Sequence, residues 1–152
     1  MGLDMYLTAE RYMSDVLYPA DKPLIEAVTA VFPELDGQKV KTTVTTEVGY
    51  WRKANAIHKW FVDNVQGGVD ECQKAYVETD HMQSLLDAVN EVLADNSKAD
   101  TLLPPEAGFF FGSTDIDEWY LEDLKSTKEI LEKILNNEGF NKNYDFYYQS
   151  SW

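Results

Sequence analysis

Cysteine is nearly absent from this sequence: Cys72 is the only one, so the chain can form no internal disulfide. No apolar run approaches the roughly 20 residues that a membrane-spanning helix needs. The first residues carry an acid at Asp4 and no basic region, which is not the pattern of a secretory signal. These absences together predict a protein of a reducing cytoplasm that does not interact with membranes.

Positive charge is also scarce. Lysine and arginine total 13 against 27 aspartates and glutamates, for a net charge of −14 and a pI near 4.4. Such a surface repels phosphate groups, which excludes sequence-independent binding of DNA or RNA. Two interpretations remain open: the acidic surface serves solubility alone, or it mimics nucleic acid and occupies the basic cleft of another protein.

Residues that ligate metals or act as nucleophiles are few. His58, His81 and Cys72 have no zinc-site spacing, and the acids of 115–123 are typical of the first turns of a helix. Cys72 and His58 are a conceivable nucleophile and base, but nothing in their spacing supports that pairing, and a lone cysteine is typically a small buried apolar residue. We therefore predict no metal, no cofactor and no catalytic residue, and we favour a protein without enzymatic activity.

The order of apolar patterns predicts one α+β domain over 1–152. Strands are predicted within 1–7, 39–48, 73–78, 108–112 and 145–152. Helices are predicted over 23–32 and 50–65, from a cap at Thr79 or Asp80, and from 113–115 to about 136, while 136–143 is predicted as a turn. Strands and helices do not alternate strictly, and several connections are too short for regular crossovers. This favours a small mixed or antiparallel sheet packed with about four helices.

The stretch YWRKANAIHKWF, residues 50–61, concentrates aromatic, cationic and amide side chains in an acidic protein. In a helix, Trp51, Asn55 and His58 share one face, where a ring, an amide and an imidazole suit a planar ligand. Arg52 is one of only two arginines and is suited to bind a phosphate or carboxylate in a bidentate manner. The alternative is structural: Trp51 in the core, His58 bonded to a buried carbonyl, and Arg52 paired with an acid.

Three further residues are candidates for the same ligand site. Gln66 stands beside Gly67-Gly68, where its amide either reads a base or caps the helix end. Trp119 and Tyr120 are candidates for the walls of a pocket, with packing in the core as the alternative. The predicted ligand-binding set is therefore Trp51, Arg52, Asn55, His58, Gln66, Trp119 and Tyr120.

The position of a phosphate is predicted from charge. The Gly-Ser-Thr turn at 112–114 opens a predicted helix, a place where anions often bind. Here three acids, Asp115, Asp117 and Glu118, fall in that turn and oppose an anion. A phosphate is expected instead beside Arg52, Lys53 and Lys59.

Three phrases resemble small proteins encoded by bacteriophages and prophages: MGLDMYL at 1–7, EVGYWRKANAIHKWFVDNVQGG at 47–68, and LLPPEAGFFFGSTDIDEWYLEDL at 102–124. The resemblance extends from Met1 to about Leu135. It implies a viral accessory protein in the host cytoplasm and transfers no catalytic residue.

Viral origin favours an action against host defence. The predicted function is sequestration of a nucleotide-derived small molecule in an aromatic and polar pocket. The alternative is an acidic interaction module, or nucleic-acid mimic, that inhibits a host enzyme. The oligomeric state stays open, with a homo-oligomer as one possibility.

Overall fold

The fold is seen in a computed structural model that describes residues 2–152. Its sheet has four strands: β1 Asp4–Met13, β2 Thr42–Arg52, β3 Ala75–Val77 and β4 Asp145–Ser151. The strand order is β2-β1-β4-β3, and every neighbouring pair is antiparallel. The predicted α+β class is therefore confirmed, with the antiparallel form of the sheet.

The described residues form six α-helices: α1 Lys22–Val31, α2 Asn55–Asn64, α3 Thr79–Ala94, α4 Ala99–Leu102, α5 Glu118–Leu135 and α6 Glu138–Asn143. Four of them have ten or more residues, in line with the predicted number. Neither α4 nor α6 was predicted as a helix, and α6 lies in a segment predicted as a turn. Asn137 caps it by accepting a hydrogen bond from the backbone N–H of Phe140. None of the helices within residues 2–152 is long and apolar enough to cross a membrane.

Alternation along β1 separates a packed face of the sheet from an open one. Met5, Leu7 and Ala9 are fully buried, whereas Tyr6 and Thr8 between them are only partly covered. The buried residues belong to one hydrophobic cluster that also takes in the inner faces of α2, α3 and α5. One sheet face is thus packed by helices, as is common for antiparallel sheets.

The boundary between β2 and α2 corrects the sequence reading. The strand predicted over 39–48 runs to Arg52, and the helix predicted from Tyr50 begins only at Asn55. Trp51 pairs with Met5 across the sheet, and Lys53 has φ of +58°, which ends the strand. Trp51 therefore shares no helix face with Asn55 or with His58. The local sequence suited a helix, but pairing with a distant strand decided the outcome.

The segment 108–112 is another correction, since it is a turn and not a buried strand. The backbone N–H of Phe111 donates to the carbonyl of Gly108, and the side chain of Phe109 is 96% exposed. The three consecutive phenylalanines suggested burial. With one fully exposed ring among them, they do not form a continuous apolar strand.

Two helix starts also differ from prediction. α5 begins at Glu118, later than the predicted 113–115, because the Asp117 carboxylate accepts from the N–H of Tyr120 and so caps the helix there. α3 is capped by Glu78, not by Thr79 or Asp80. The Glu78 side chain and His81 form a reciprocal capping box, in which His81 accepts from the N–H of Glu78.

Candidate functional site: the cleft at the start of α2

A cleft of about 300 Å³ opens where the end of β2, the first turn of α2, the 112–117 loop and the first turns of α5 meet. Four of the seven predicted ligand-binding residues line it, namely Arg52, Asn55, Trp119 and Tyr120. Arg52 and Asn55 lie far from Trp119 and Tyr120 in the sequence, and the fold brings the four residues to one cleft.

Two neighbouring cations stand at this cleft without an acidic partner. Neither Arg52 nor Lys53 forms an ion pair with another residue of 2–152, whereas eight of the 13 lysines and arginines do. The Lys53 side chain lies against the backbone of Gly112, where an added Cβ would be 3.3 Å from the Lys53 Cβ. Both cationic groups are therefore available to an incoming anion.

Lys59, predicted to act with them, is engaged elsewhere. Its Nζ lies 3.2 Å from Asp63 Oδ2 and 3.3 Å from Glu106 Oε2, and it is not part of the cleft lining. The hydrogen bond to Asp63, with a further contribution from Glu106, raises the pKa of Lys59. The two acids already neutralise this lysine, so it adds no free positive charge to the cleft.

The first turn of α2 supplies backbone donors to the same cleft. Ala54, at the cap position, has no side-chain acceptor, and the N–H groups of Ala56 and Ile57 find no acceptor among residues 2–152. Both residues line the cleft, but Ile57 is fully buried, so the Ala56 N–H is the one that a ligand can reach. Free N–H groups and the positive end of the helix dipole both favour a negative group at this position.

Asn55 fastens the loop that forms one wall of the cleft. Its amide nitrogen donates to the carbonyls of Phe111 (3.1 Å) and Ser113 (2.8 Å), and its amide oxygen accepts from the N–H of Glu106 (3.0 Å). The side chain is buried. With its amide engaged on both sides, Asn55 shapes the cleft by positioning this loop.

Trp119 and Tyr120 differ in role although they are adjacent. Trp119 is 79% exposed at the rim, and its ring has no aromatic neighbour among the described residues. Tyr120 is buried and donates its hydroxyl to the carbonyl of Leu103 at 2.9 Å. Burial raises the pKa of Tyr120 to about 12, so it stays a neutral donor. The free ring of Trp119 is the one available for stacking.

Three aspartates also line the cleft: Asp115, Asp117 and Asp123. Burial, followed by the nearby charge of Asp117, raises the pKa of Asp123 to about 6. Within residues 2–152 these carboxylates are not grouped closely enough to hold a metal ion. The cleft therefore offers cations and backbone donors together with carboxylate acceptors.

The raised pKa of Asp123 gives a prediction about stability. The folded state holds this proton more tightly than the unfolded chain, so the free energy of unfolding should fall as the pH rises from about 4 to about 6. The Asp123→Asn substitution should remove that fall and add about 1–2 kcal/mol at pH 7, a range that allows for the solvent contact of this half-buried group. Urea denaturation of both proteins between pH 4 and pH 8 measures it. A wild-type slope that persists in the variant would assign the effect to another group.

The other three predicted residues lie in the interior, outside the cleft. The Trp51 indole N–H donates to Thr127 Oγ1 at 2.8 Å, within the core. His58 is fully buried, with Nδ1 2.7 Å from the hydroxyl of Tyr148 and Nε2 3.0 Å from Asp70 Oδ2. These two side chains cross-link packed elements of the fold.

Gln66 and Cys72 both lie in the segment that follows α2, outside the cleft. Gln66 is buried, and its amide nitrogen donates to the carbonyl of Gln73 at 2.9 Å, which closes the loop after α2. Cys72 is half-buried with φ of +57°, and neither ring nitrogen of His58 bonds to it. A nucleophile–base pair is therefore not assembled.

Asp123 and the backbone of Ala56 and Ile57 were missed as contributors to the site. A signal existed for Asp123, which follows Trp119 by four residues and Tyr120 by three, the spacing of one helix face. The free N–H groups had no such signal, because they depend on where α2 starts. The predicted start, Tyr50, is five residues before the observed start, Asn55.

No protein-family model, curated protein or solved structure matches this chain.

Proposed function

We propose that this protein binds and sequesters a nucleotide-derived small molecule in the cleft at the start of α2, as a viral accessory protein that acts against host defence. The observation that carries the proposal is that two cations with no ion pair among the described residues, Arg52 and Lys53, line the same cleft as the exposed Trp119. No chemical step is part of the proposal.

The phosphate of the ligand belongs at the α2 end of the cleft. Arg52 contributes a planar guanidinium suited to two parallel hydrogen bonds, and Lys53 adds a second positive charge. The N–H of Ala56, which has no acceptor among residues 2–152, lies at a helix start, a common place for phosphate binding. Together they concentrate the positive groups at the α2 end of the cleft.

The base belongs at the Trp119 end. An exposed indole ring offers a flat apolar face, and stacking of a base on an aromatic ring contributes about 1–3 kcal/mol. A cavity of about 300 Å³ is at the lower end of the size range for small-molecule sites. The cleft therefore suits a small nucleotide whose base lies partly outside the cavity, against Trp119.

The aspartates decide which anions are accepted. Asp115, Asp117 and Asp123 offer acceptors to hydroxyl and amino groups, and they repel a ligand that carries negative charge alone. A nucleotide has ribose hydroxyls, and often an exocyclic amino group, in addition to its phosphate. The mixed lining thus favours a nucleotide over inorganic phosphate.

A thermal-shift screen tests the proposal. The panel contains linear and cyclic nucleotides and ADP-ribose derivatives, with inorganic phosphate and unphosphorylated nucleosides as controls. At about 100 times its dissociation constant, a ligand should add roughly 2.7 kcal/mol of stability. The controls should add much less, and Trp119→Ala should reduce the shift. A panel in which no nucleotide moves the transition would contradict the proposal.

A second function is favoured by the exposed apolar side chains of the 109–119 segment. Phe109 is 96% exposed, and Ile116 and Trp119 are also exposed, on a protein whose charge is −14. Such side chains with an acidic surround suit an inhibitor that docks on a basic host enzyme. Phe109→Ser distinguishes the two functions, because it should abolish capture of a host enzyme while leaving a nucleotide-induced thermal shift unchanged.

A further inference from the structure

β2 is an edge strand whose outer side is free. It pairs only with β1, so the outward N–H and C=O groups of 42–47 have no strand partner within residues 2–152. Natural edge strands are commonly protected by proline, by charged side chains or by shortness. β2 has 11 residues and no proline, and its stretch 42–46 carries no charge. Val44, in the middle of that stretch, is 43% exposed.

The sequence along this edge is self-complementary. Residues 41–47 read Lys-Thr-Thr-Val-Thr-Thr-Glu, which is the same in both directions except for opposite charges at its ends. When two such strands pair antiparallel about a two-fold axis at Val44, Lys41 of each copy lies opposite Glu47 of the other. Opposed residues of an antiparallel pair lie on the same sheet face, so both charge pairs can form.

We propose that two copies of this chain associate through their β2 edges, with the two-fold axis at Val44. The result is a continuous antiparallel sheet of eight strands, four from each copy. The interface is isologous and closed, because each copy contributes the same edge to the same axis. Lys41 and Glu47 are exposed and form no ion pair with other described residues, so both are free to pair across the interface.

Charge allows two copies to approach here although the protein is strongly acidic. The ten residues from Gly37 to Thr46 contain Lys39 and Lys41 and no acid. Over the whole chain acids outnumber lysines and arginines by 27 to 13, so approach of two copies is in general opposed by repulsion. A second copy is therefore the occupant that meets this edge with both matching hydrogen bonds and matching charge.

The β-bulge in β2 limits the paired region. Leu7 pairs with Gly49 and Thr8 with Glu47, which leaves Val48 as the extra residue of β2. A bulge bends its strand and interrupts the regular edge. Regular pairing between the two β2 strands thus ends at Glu47. The same residue ends the paired stretch when Lys41 of one copy lies opposite Glu47 of the other.

Apolar side chains near the edge contribute further contact area, which a short strand pair by itself lacks. The connection from Met13 to Thr42 starts and ends at the same end of the β1–β2 ribbon. Its exposed large apolar residues are Val16, Leu17, Tyr18, Leu24, Val31 and Phe32. Two copies joined at Val44 bring two such connections to the margins of one interface.

A charge-swap series measured by sedimentation velocity tests the proposal. The wild-type chain should show a monomer–dimer equilibrium. Lys41→Glu and Glu47→Lys should each raise the dimer dissociation constant about tenfold or more, because each places two like-charged pairs across the axis. The double variant, Lys41→Glu with Glu47→Lys, should restore the wild-type constant.

Lys133→Glu is the matched control for Lys41→Glu, because it makes the same change in net charge. Lys133 is an exposed residue of α5 that forms no ion pair with other described residues. The control variant should leave the dissociation constant close to the wild-type value. A wild-type chain that stays monomeric at its highest soluble concentration would overturn the proposal, as would a double variant no tighter than the single ones. Open-ended assemblies would also overturn it, since a closed interface stops at two copies. The nucleotide-induced thermal shift, which depends on the cleft, is independent of each of these results.

Discussion

Phe61→Ala should lower the free energy of unfolding by about 3–5 kcal/mol, the range for deleting a buried aromatic ring and leaving a cavity. Phe61 is fully buried on α2 and stacks on Tyr148 of β4, with ring centroids 4.1 Å apart and planes 6° apart. Its ring also lies 6.0 Å from that of Trp51. One side chain therefore ties α2 to two strands of the sheet, and little around it is free to collapse into the space. Urea denaturation at pH 7 measures the loss.

Trp119→Ala is the matched control for this prediction. It also deletes a large aromatic ring from a helix, but that ring is 79% exposed, so the change in stability should stay within about 0.5 kcal/mol. Equal losses from the two substitutions would show that Trp119 packs against the protein in solution. The rim of the cleft would then not be available for stacking.

Arg52→Ala should weaken nucleotide binding by about 2–5 kcal/mol, the range for truncating one partner of a desolvated charge pair. The fold should be nearly unaffected, because the Arg52 side chain is exposed and forms no ion pair with the rest of the described chain. Isothermal titration calorimetry with the nucleotide that gives the largest thermal shift measures the effect. Arg52→Lys should recover only part of the affinity if two parallel hydrogen bonds are made.

Arg11 provides the control, as the other arginine of the chain. It lies outside the cleft and pairs with Asp21 at 3.4 Å. Arg11→Ala should therefore leave nucleotide affinity unchanged. If both arginine variants bind the nucleotide as well as the wild-type chain does, the phosphate is held elsewhere, and the cleft is not the binding site.

Much of the helical part of the fold was predictable because its signals are local. Met82, Leu85, Leu86, Val89 and Val92 recur at helical spacing, and all are buried on α3. The same spacing of apolar residues predicted α5, although not its first residue. In both helices the start depends on which nearby acid caps the backbone, and several acids compete for that position.

The candidate site was only partly predictable, since its residues come from two segments that lie far apart in the sequence, 52–57 and 112–124. Arg52 and Trp119 were chosen for their chemistry, and the fold places both at the cleft. Trp51 and His58 were chosen by the same criteria, and the fold places both in the interior. Residue type indicates what a side chain is able to bind, whereas burial decides whether a ligand reaches it.

The sequence by itself determined the α+β class, the helical stripes, the strong negative charge and the scarcity of metal ligands and thiols. These follow from composition and from periodicities of a few residues, which each segment carries on its own. The tertiary structure alone decided that residues 50–52 are strand, that Arg52 and Trp119 line one cleft, and that β2 is an edge. Each of these depends on contacts between residues far apart in the chain, and in β2 the pairing with β1 outweighed a local sequence that suits a helix.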